Sequence, residues 1–176
     1  MILIAVNNGD YREEIRALFF EYLNWANEIA IRDYGLEVTE EEVNAAIDED
    51  VKTIHRILPP NGHFYLAQVD GEFVGMGAIK KLDDKRGEIK RMYVKPQTRG
   101  LGVGKAILRQ LIDDGRAFGF EKIVLDSPLF CTAAHQLYFD HQFVESGPYE
   151  NNENPEEIYY FLKFMELDLQ REGVGE

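Results

Sequence analysis

The chain has 176 residues, of which 45% are hydrophobic and 29% charged, with 1 cysteine and a formal net charge of −13. This composition is typical of one folded domain without disulfides or a cysteine-rich zinc site, and the negative charge disfavours a general nucleic-acid partner. No apolar run reaches the roughly 20 residues that span a bilayer, and no signal-peptide pattern opens the chain, so we expect a cytoplasmic protein with no membrane partner.

The first part of the chain predicts one strand and two helices. Residues 2–6 form a short apolar run that indicates a strand, and apolar side chains then recur at helical spacing over 11–34. Asp10 precedes this helix as a candidate N-cap. Thr39 followed by Glu42 is a capping box, which predicts the start of a second helix.

A change from helical to strand-like spacing marks the middle of the chain. Apolar runs at 64–69 and 73–79 flank Asp70-Gly71, a pair that is a strong hairpin signal because both turn residues tolerate positive φ. A second turn at 83–87 leads into a third run at 88–94. We therefore expect an antiparallel meander of three strands.

The second half of the chain alternates helices and strands after a glycine-rich turn. In order, the patterns predict a helix that Gly119 closes, a strand at 122–126, a helix around 133–138, a strand from 143, an exposed loop at 147–155 and a strand at 158–169. The whole predicts an α/β fold in which a mixed sheet of about seven strands carries helices on both faces. One domain, 1–169, accounts for this pattern, and 170–176 is expected to be a loose tail.

The glycine-rich turn at 99–105 is the most informative segment. Glycines let a ligand approach the backbone, and the free N–H groups at a helix start favour phosphate. A nucleotide-binding P-loop needs a longer glycine spacing and a Ser or Thr after Lys105, where Ala106 stands. A dinucleotide fingerprint needs a different last glycine step and follows the first strand of a βαβ unit, not a meander. A simple helix entry leaves the three alternate glycines unexplained.

Several motifs together resemble one family. Arg99-Gly100-Leu101-Gly102-Val103-Gly104 matches the Arg-x-x-Gly-x-Gly motif of the GNAT superfamily of N-acetyltransferases. The strands at 88–94 and 122–126 resemble those that flank this motif in the family. The later run Ala134-x-x-Leu137-Tyr138-x-x-x-Gln142-Phe143 is also similar, with Gln142 where the family usually has Gly. The element order agrees from about residue 2 to 169, so the resemblance implies the GNAT acyl-CoA N-acyltransferase fold.

The resemblance implies acetyl-CoA as the cofactor. Backbone N–H groups over 101–105 would hold its pyrophosphate, and Arg99 would order the loop or meet phosphate. Met92 and Val94 would pair with the pantetheine arm, and the Val94 N–H would donate to the thioester carbonyl. The implied cofactor-binding set is Met92, Tyr93, Val94, Arg99, Gly100, Leu101, Gly102, Val103, Gly104 and Lys105.

The same resemblance implies direct transfer of the acetyl group to an amine within a ternary complex, without a metal. Tyr138 stands where the family places the acid that protonates the thiolate, although a buried core tyrosine is the plain alternative. Glu88 stands at a position similar to that of the strand Glu that serves as the catalytic base in the histone-acetylating branch of the family. A cross-strand pair between Glu88 and a lysine is equally open, and Asp126 and Glu145 are reserve bases.

By its period of two, the third meander strand should place Glu88 on one face with Lys90, Met92 and Val94. The opposite wall of the site should come from the first two helices and from the loop at 147–155. In that loop Tyr149, a further reserve base, is the candidate acceptor-binding residue.

The expected function is an N-acetyltransferase that acts on an amine of a small molecule or peptide, as a monomer or homodimer. A non-catalytic acyl-CoA-binding sensor on the same fold is the alternative, and Tyr138 favours the enzyme. A nucleotide-binding α/β domain is a third hypothesis, which predicts stabilisation by ATP or NAD rather than by CoA.

Overall fold

A seven-stranded mixed sheet forms the centre of the computed structural model, which describes residues 1–7, 9–35 and 38–170. Its elements are β1 (Ile2–Ala5), α1 (Arg12–Tyr34), α2 (Glu40–Thr53), β2 (Gly62–Val69), β3 (Glu72–Lys81), β4 (Arg86–Val94), α3 (Val103–Ala117), β5 (Lys122–Pro128), α4 (Thr132–Asp140), β6 (Val144–Ser146) and β7 (Leu162–Asp168). Short 3-10 helices lie at Ile54–Ile57, Pro96–Thr98 and Glu156–Phe161. The strand order is β1-β2-β3-β4-β5-β7-β6. The predicted mixed sheet and its meander are confirmed, whereas residues 171–176 of the predicted tail lie outside the described residues.

Helices cover both faces of the sheet, as predicted. On one face α1 and α2 bury the side chains Ile15, Leu18, Phe19, Val43 and Ile47 against the meander. On the other face α3 and α4 bury Val103, Ile107, Leu108, Leu111 and Tyr138. Each such apolar side chain contributes roughly 1.5–3 kcal/mol to the free energy of unfolding. None of the described helices is both long enough and apolar enough to cross a membrane.

The two predicted helix starts have different outcomes. The capping box of α2 is confirmed, because the Thr39 side chain accepts from the Glu42 N–H and the Glu42 carboxylate accepts from the Thr39 N–H. The prediction of Asp10 as the cap of α1 is wrong. Tyr11 occupies that position with φ of 60° and makes no side-chain cap bond.

The predicted final strand at 158–169 is wrong in its first part. Glu156–Phe161 is a 3-10 helix and β7 covers only Leu162–Asp168. A 3-10 helix repeats every three residues, which brings Ile158 and Phe161 to the same side. Phe161 is buried and packs edge-on against Tyr34 of α1 at 4.6 Å between ring centroids. This tertiary contact explains why an aromatic run that reads as a strand is helical here.

A β-bulge interrupts β4. Lys90 pairs with Ala78 and Tyr93 with Met76, so that Arg91 and Met92 together oppose a single residue of β3, Gly77. Arg91 has φ of 58°, a left-handed conformation that is uncommon for a side chain of this size.

The bulge changes which side chains of β4 share a face. Glu88 and Lys90 lie together, with the Lys90 Nζ 3.0 Å from the Glu88 Oε1. Met92 and Val94 instead pack into the core beneath α3. The predicted common face for all four residues is therefore wrong, because the extra residue at Arg91 reverses the alternation beyond it.

The sheet opens between β4 and β5. These strands are parallel, and only three pairs join them: Arg86 with Lys122, Gly87 with Ile123, and Glu88 with Val124. Beyond Glu88 the two strands diverge. The opening leaves one edge of β4 without a neighbouring strand.

The bulge geometry predicts that Gly77→Ala lowers stability. A Cβ at Gly77 would lie 2.6 Å from the Ile107 side chain and 2.7 Å from the Met92 sulfur, inside a packed core. We expect a loss of about 1–3 kcal/mol, the usual cost of overpacking, measured by urea unfolding. Gly147→Ala is the matched control, since nothing lies within 4 Å of a Cβ there. Equal stability of the two variants would contradict this description of the bulge.

Candidate active site

A cavity of about 810 Å³ occupies the opening between β4 and β5, within the usual size of small-molecule sites. Among the predicted cofactor-binding residues, those that line it are Met92, Tyr93, Val94, Arg99, Gly100, Gly102, Val103, Gly104 and Lys105. Leu101 is not in the lining, and 66% of this residue is exposed. The structure thus brings the predicted strand end and the glycine turn to one cavity.

The glycine turn forms a cradle of N–H groups. Gly102 has φ of 81° and precedes α3, whose first backbone bond runs from the Ala106 N–H to the Gly102 carbonyl. The N–H groups of residues 103–105 therefore have no partner within the helix. Nothing lies within 4 Å of a Cβ built on Gly102, and Lys105 adds positive charge to the lining. These features suit a phosphate group.

Arg99 ties this turn to β4. Its Nε donates to the Val94 carbonyl at 3.1 Å, and its guanidinium lies 4.9 Å from the centre of the Trp25 ring. The Val94 carbonyl therefore points away from β3, while the Lys95 N–H donates to Val74 of β3. Since the N–H and carbonyl of one strand residue point to the same side, the Val94 N–H points toward the opening.

Tyr138 lies on α4 and lines the same cavity. Only 4% of the residue is exposed. Burial, together with the nearby groups Tyr22, Cys131 and Asp126, raises the pKa of Tyr138. Its hydroxyl therefore keeps its proton at neutral pH, as a proton donor must.

Glu88 lies at the point where β4 and β5 separate, and it is completely buried. Its carboxylate contacts the ammonium groups of Lys80 at 3.1 Å and Lys90 at 3.0 Å. Lys80 is its cross-strand neighbour, so the lysine pair that the sequence left open is present. Glu88 is not among the residues that line the cavity. Its role as a base stays a prediction.

The loop at 147–155 is fastened to the strands by polar contacts. The Tyr149 hydroxyl lies 2.8 Å from the Glu88 Oε1 and 2.9 Å from the Asp126 Oδ2. The Asn152 amide also donates to the Asp126 Oδ2 at 2.9 Å. Of these side chains only Asp126 lines the cavity. Tyr149, the predicted acceptor-binding residue, does not line the cavity and instead contacts Asp126, which does.

Glu153 of the same loop completes the ion cluster. Its carboxylate bridges the ammonium groups of Lys80 at 2.6 Å and Lys90 at 3.2 Å. Burial raises the pKa of Glu153, but the hydrogen bond from Lys80 and the charges of Lys90 and Lys80 outweigh it and lower the pKa to about 2. Glu145, a reserve base, pairs with Lys163 instead, outside the cavity lining.

The far wall of the cavity comes from α1 and α2, as predicted, through Tyr22, Leu23, Trp25, Ala46 and Asp50. Burial raises the pKa of Tyr22 to about 12. Asp50 pairs with Arg91, the bulge residue. Sequence reasoning missed Tyr22, Trp25 and Arg91 because the helix residues read as ordinary core positions and no local signal marks the bulge.

Comparison with known proteins agrees with this geometry. The model of the acetyltransferase (GNAT) family matches residues 17–142. An IAA acetyltransferase of Azospirillum brasilense is 28% identical over 131 residues, which are 70% of this chain and 86% of that protein. An uncharacterized N-acetyltransferase of Schizosaccharomyces pombe is 27% identical, covering 86% of this chain and 87% of that protein.

Solved structures share the fold. A GNAT-family acetyltransferase from Staphylococcus aureus Mu50 superposes with a TM-score of 0.73 at 19% identity, covering 96% of this chain and 100% of the other. The PaiA N-acetyltransferase of Thermoplasma acidophilum, solved in complex with coenzyme A, gives a TM-score of 0.70 at 17% identity, with 96% and 99% covered. With a family match over most of its length and a cavity built from the family's own motif, the chain belongs to the GNAT family of N-acetyltransferases and is an acyltransferase.

Proposed function

We propose that acetyl-CoA is the acyl donor of this enzyme and that the acceptor is an amine of a small molecule or peptide. The observation that carries the proposal is the cavity itself, which has free N–H groups at the start of α3 and an open edge of β4 as its wall. On the sequence arguments, we further propose a cytoplasmic enzyme that acts as a monomer or homodimer without a nucleic-acid or membrane partner.

The residues of the cavity fit an elongated ligand with phosphate at one end. The N–H groups of Val103, Gly104 and Lys105 would hold the pyrophosphate, and the open edge of β4 at Met92 would accept the pantetheine amides. Bound acetyl-CoA supplies an activated thioester. The Val94 N–H, which points into the opening, would stabilise the negative charge that develops on the carbonyl oxygen.

Tyr138 is the proposed acid. The leaving thiolate needs a proton, and the hydroxyl of Tyr138 carries one because burial raises its pKa. A non-catalytic acyl-CoA sensor would have no use for a buried proton donor in the cavity lining, so the enzyme is the better account.

Gly102→Val tests the glycine cradle. The added side chain would fill the space over the N–H groups, and we expect it to abolish the rise in melting temperature that acetyl-CoA gives wild type by mass action. Gly119→Val at the other end of α3 is the matched control, because Gly119 has φ of 79° and equally open space. The control carries the same backbone strain and should keep the shift. An intact shift in Gly102→Val would refute the cradle.

Tyr138→Phe tests the acid. The ring remains, so the fold and the affinity for acetyl-CoA should persist, while kcat should fall by about 10²-fold, the scale of one acid–base group. Steady-state kinetics with acetyl-CoA and a panel of primary amines provides the measurement. Tyr159→Phe is a control that also removes one hydroxyl, from a ring that packs on Phe164. Wild-type turnover in Tyr138→Phe would remove Tyr138 from the mechanism.

A further inference from the structure

We propose that Asp126 takes the proton of the acceptor amine. We further propose that the Tyr149 hydroxyl donates its hydrogen bond to Asp126 while that carboxylate is ionised and to Glu88 once Asp126 is protonated. The inference rests on the proposed acetyl transfer and names the group that activates the acceptor. It also changes the expected role of Glu88 from a base that contacts the amine to a positioning residue.

Accessibility from the cavity favours Asp126 over Glu88 as the base. Glu88 is completely buried and absent from the cavity lining, whereas Asp126 of β5 lines the cavity. A base must come within hydrogen-bond reach of the proton that it removes, directly or through one water. Of the two carboxylates that contact Tyr149, only Asp126 lines the cavity in which an acceptor amine would bind.

The Tyr149 hydroxyl has one hydrogen but two carboxylate neighbours, at 2.8 Å and 2.9 Å. It can therefore donate to only one of them at a time. Burial and the two carboxylates, Glu88 and Asp126, raise the pKa of Tyr149, so the hydroxyl stays neutral and its hydrogen remains available.

Because Tyr149 has a single hydroxyl hydrogen, the hydrogen bonds among Tyr149, Asp126 and Glu88 can take two arrangements. While Asp126 is ionised, Tyr149 can donate to its Oδ2, beside the Asn152 amide. Once Asp126 has taken a proton, the hydroxyl can turn to Glu88 and accept from Asp126 instead. No hydrogen bond is lost in the exchange, so no buried polar group of the network is left unpaired in either arrangement.

Ion pairs hold the Glu88 carboxylate where it can accept a hydrogen bond from the Tyr149 hydroxyl. Lys80 and Lys90 contact its carboxylate, and Glu153 bridges the same two lysines, so two positive and two negative charges balance in the cluster. The cluster also fixes the loop that carries Tyr149. Other charged or titratable groups that interact with Asp126 are Lys90 of β4, Tyr22 of α1 and Tyr138 of α4.

The protons balance over the reaction. The ammonium form of the acceptor gives one proton to the Asp126 carboxylate, and the free amine then attacks the thioester carbonyl. The carbon–nitrogen bond forms and the carbon–sulfur bond breaks. The thiolate receives a proton from Tyr138, which regains one from the acylated nitrogen. Asp126 finally releases its proton to solvent, so that one proton leaves for each amide formed.

The test is a double-mutant cycle read through pH–rate profiles. Asp126→Asn keeps the size and removes the basicity, so kcat should fall by about 10²-fold near neutral pH and recover partly at alkaline pH as free amine increases. Tyr149→Phe should lower kcat by about tenfold, the scale of one hydrogen bond, and displace the apparent pKa that base and amine share. Glu88→Gln should lower the rate in wild type but add little in Tyr149→Phe, since both act through one hydroxyl.

The assay uses the fastest acceptor from a panel that contains benzylamine, spermidine and aspartate. Tyr159→Phe is the matched control outside the network, and it should keep the wild-type profile. The acetyl-CoA-induced rise in melting temperature reports folding and donor binding in each variant. If Glu88→Gln does not fold, Asp126→Asn and Tyr149→Phe still decide the outcome.

Two results would overturn the assignment. One is an Asp126→Asn profile that superimposes on wild type, and the other is a Glu88→Gln effect that persists undiminished in Tyr149→Phe. Failure of the proposed function is distinguishable, because wild type itself would then show no acetyl-CoA-induced stabilisation or would acetylate no amine in the panel.

Discussion

The short parallel contact between β4 and β5 is the constraint on which the rest of the site depends. After three residue pairs the strands diverge, and the space between them becomes the cavity. Glu88 belongs to the last of these pairs, so its carboxylate and its two lysines sit at the apex of the opening. The charge cluster therefore closes the apex, while the glycine turn lies at the far end of β4.

The β-bulge at Arg91 determines which side chains of β4 lie on each face of the sheet. By reversing the alternation of β4, it leaves Glu88 and Lys90 on the face that the 147–155 loop covers and turns Met92 toward α3. The donor-binding edge and the charge cluster can then occupy one strand without competing for the same face. Gly77 permits this arrangement because a side chain there would meet Ile107 and Met92.

Local patterns made much of the fold predictable. The capping box at Thr39 and the glycine turn before α3 are read within a few residues, and the order of helices and strands along the chain agrees with the family that the motifs resemble. The contacts of Tyr149 could not be read in this way, since its partners Glu88 and Asp126 lie 61 and 23 residues away in the sequence. The family resemblance points to Glu88 as a candidate base, but its complete burial depends on the tertiary structure. The sequence also gives no sign of a bulge at Arg91, so an ideal strand period put Met92 on the wrong face.

The most direct test of the central claim is amide hydrogen exchange with and without acetyl-CoA. We predict that the N–H groups of Val103, Gly104 and Lys105, which lack partners within α3, become protected on binding, together with the N–H of Val94 on the open edge of β4. Protection that appears elsewhere while these four amides exchange as before would contradict the claim that this cavity holds the acyl donor.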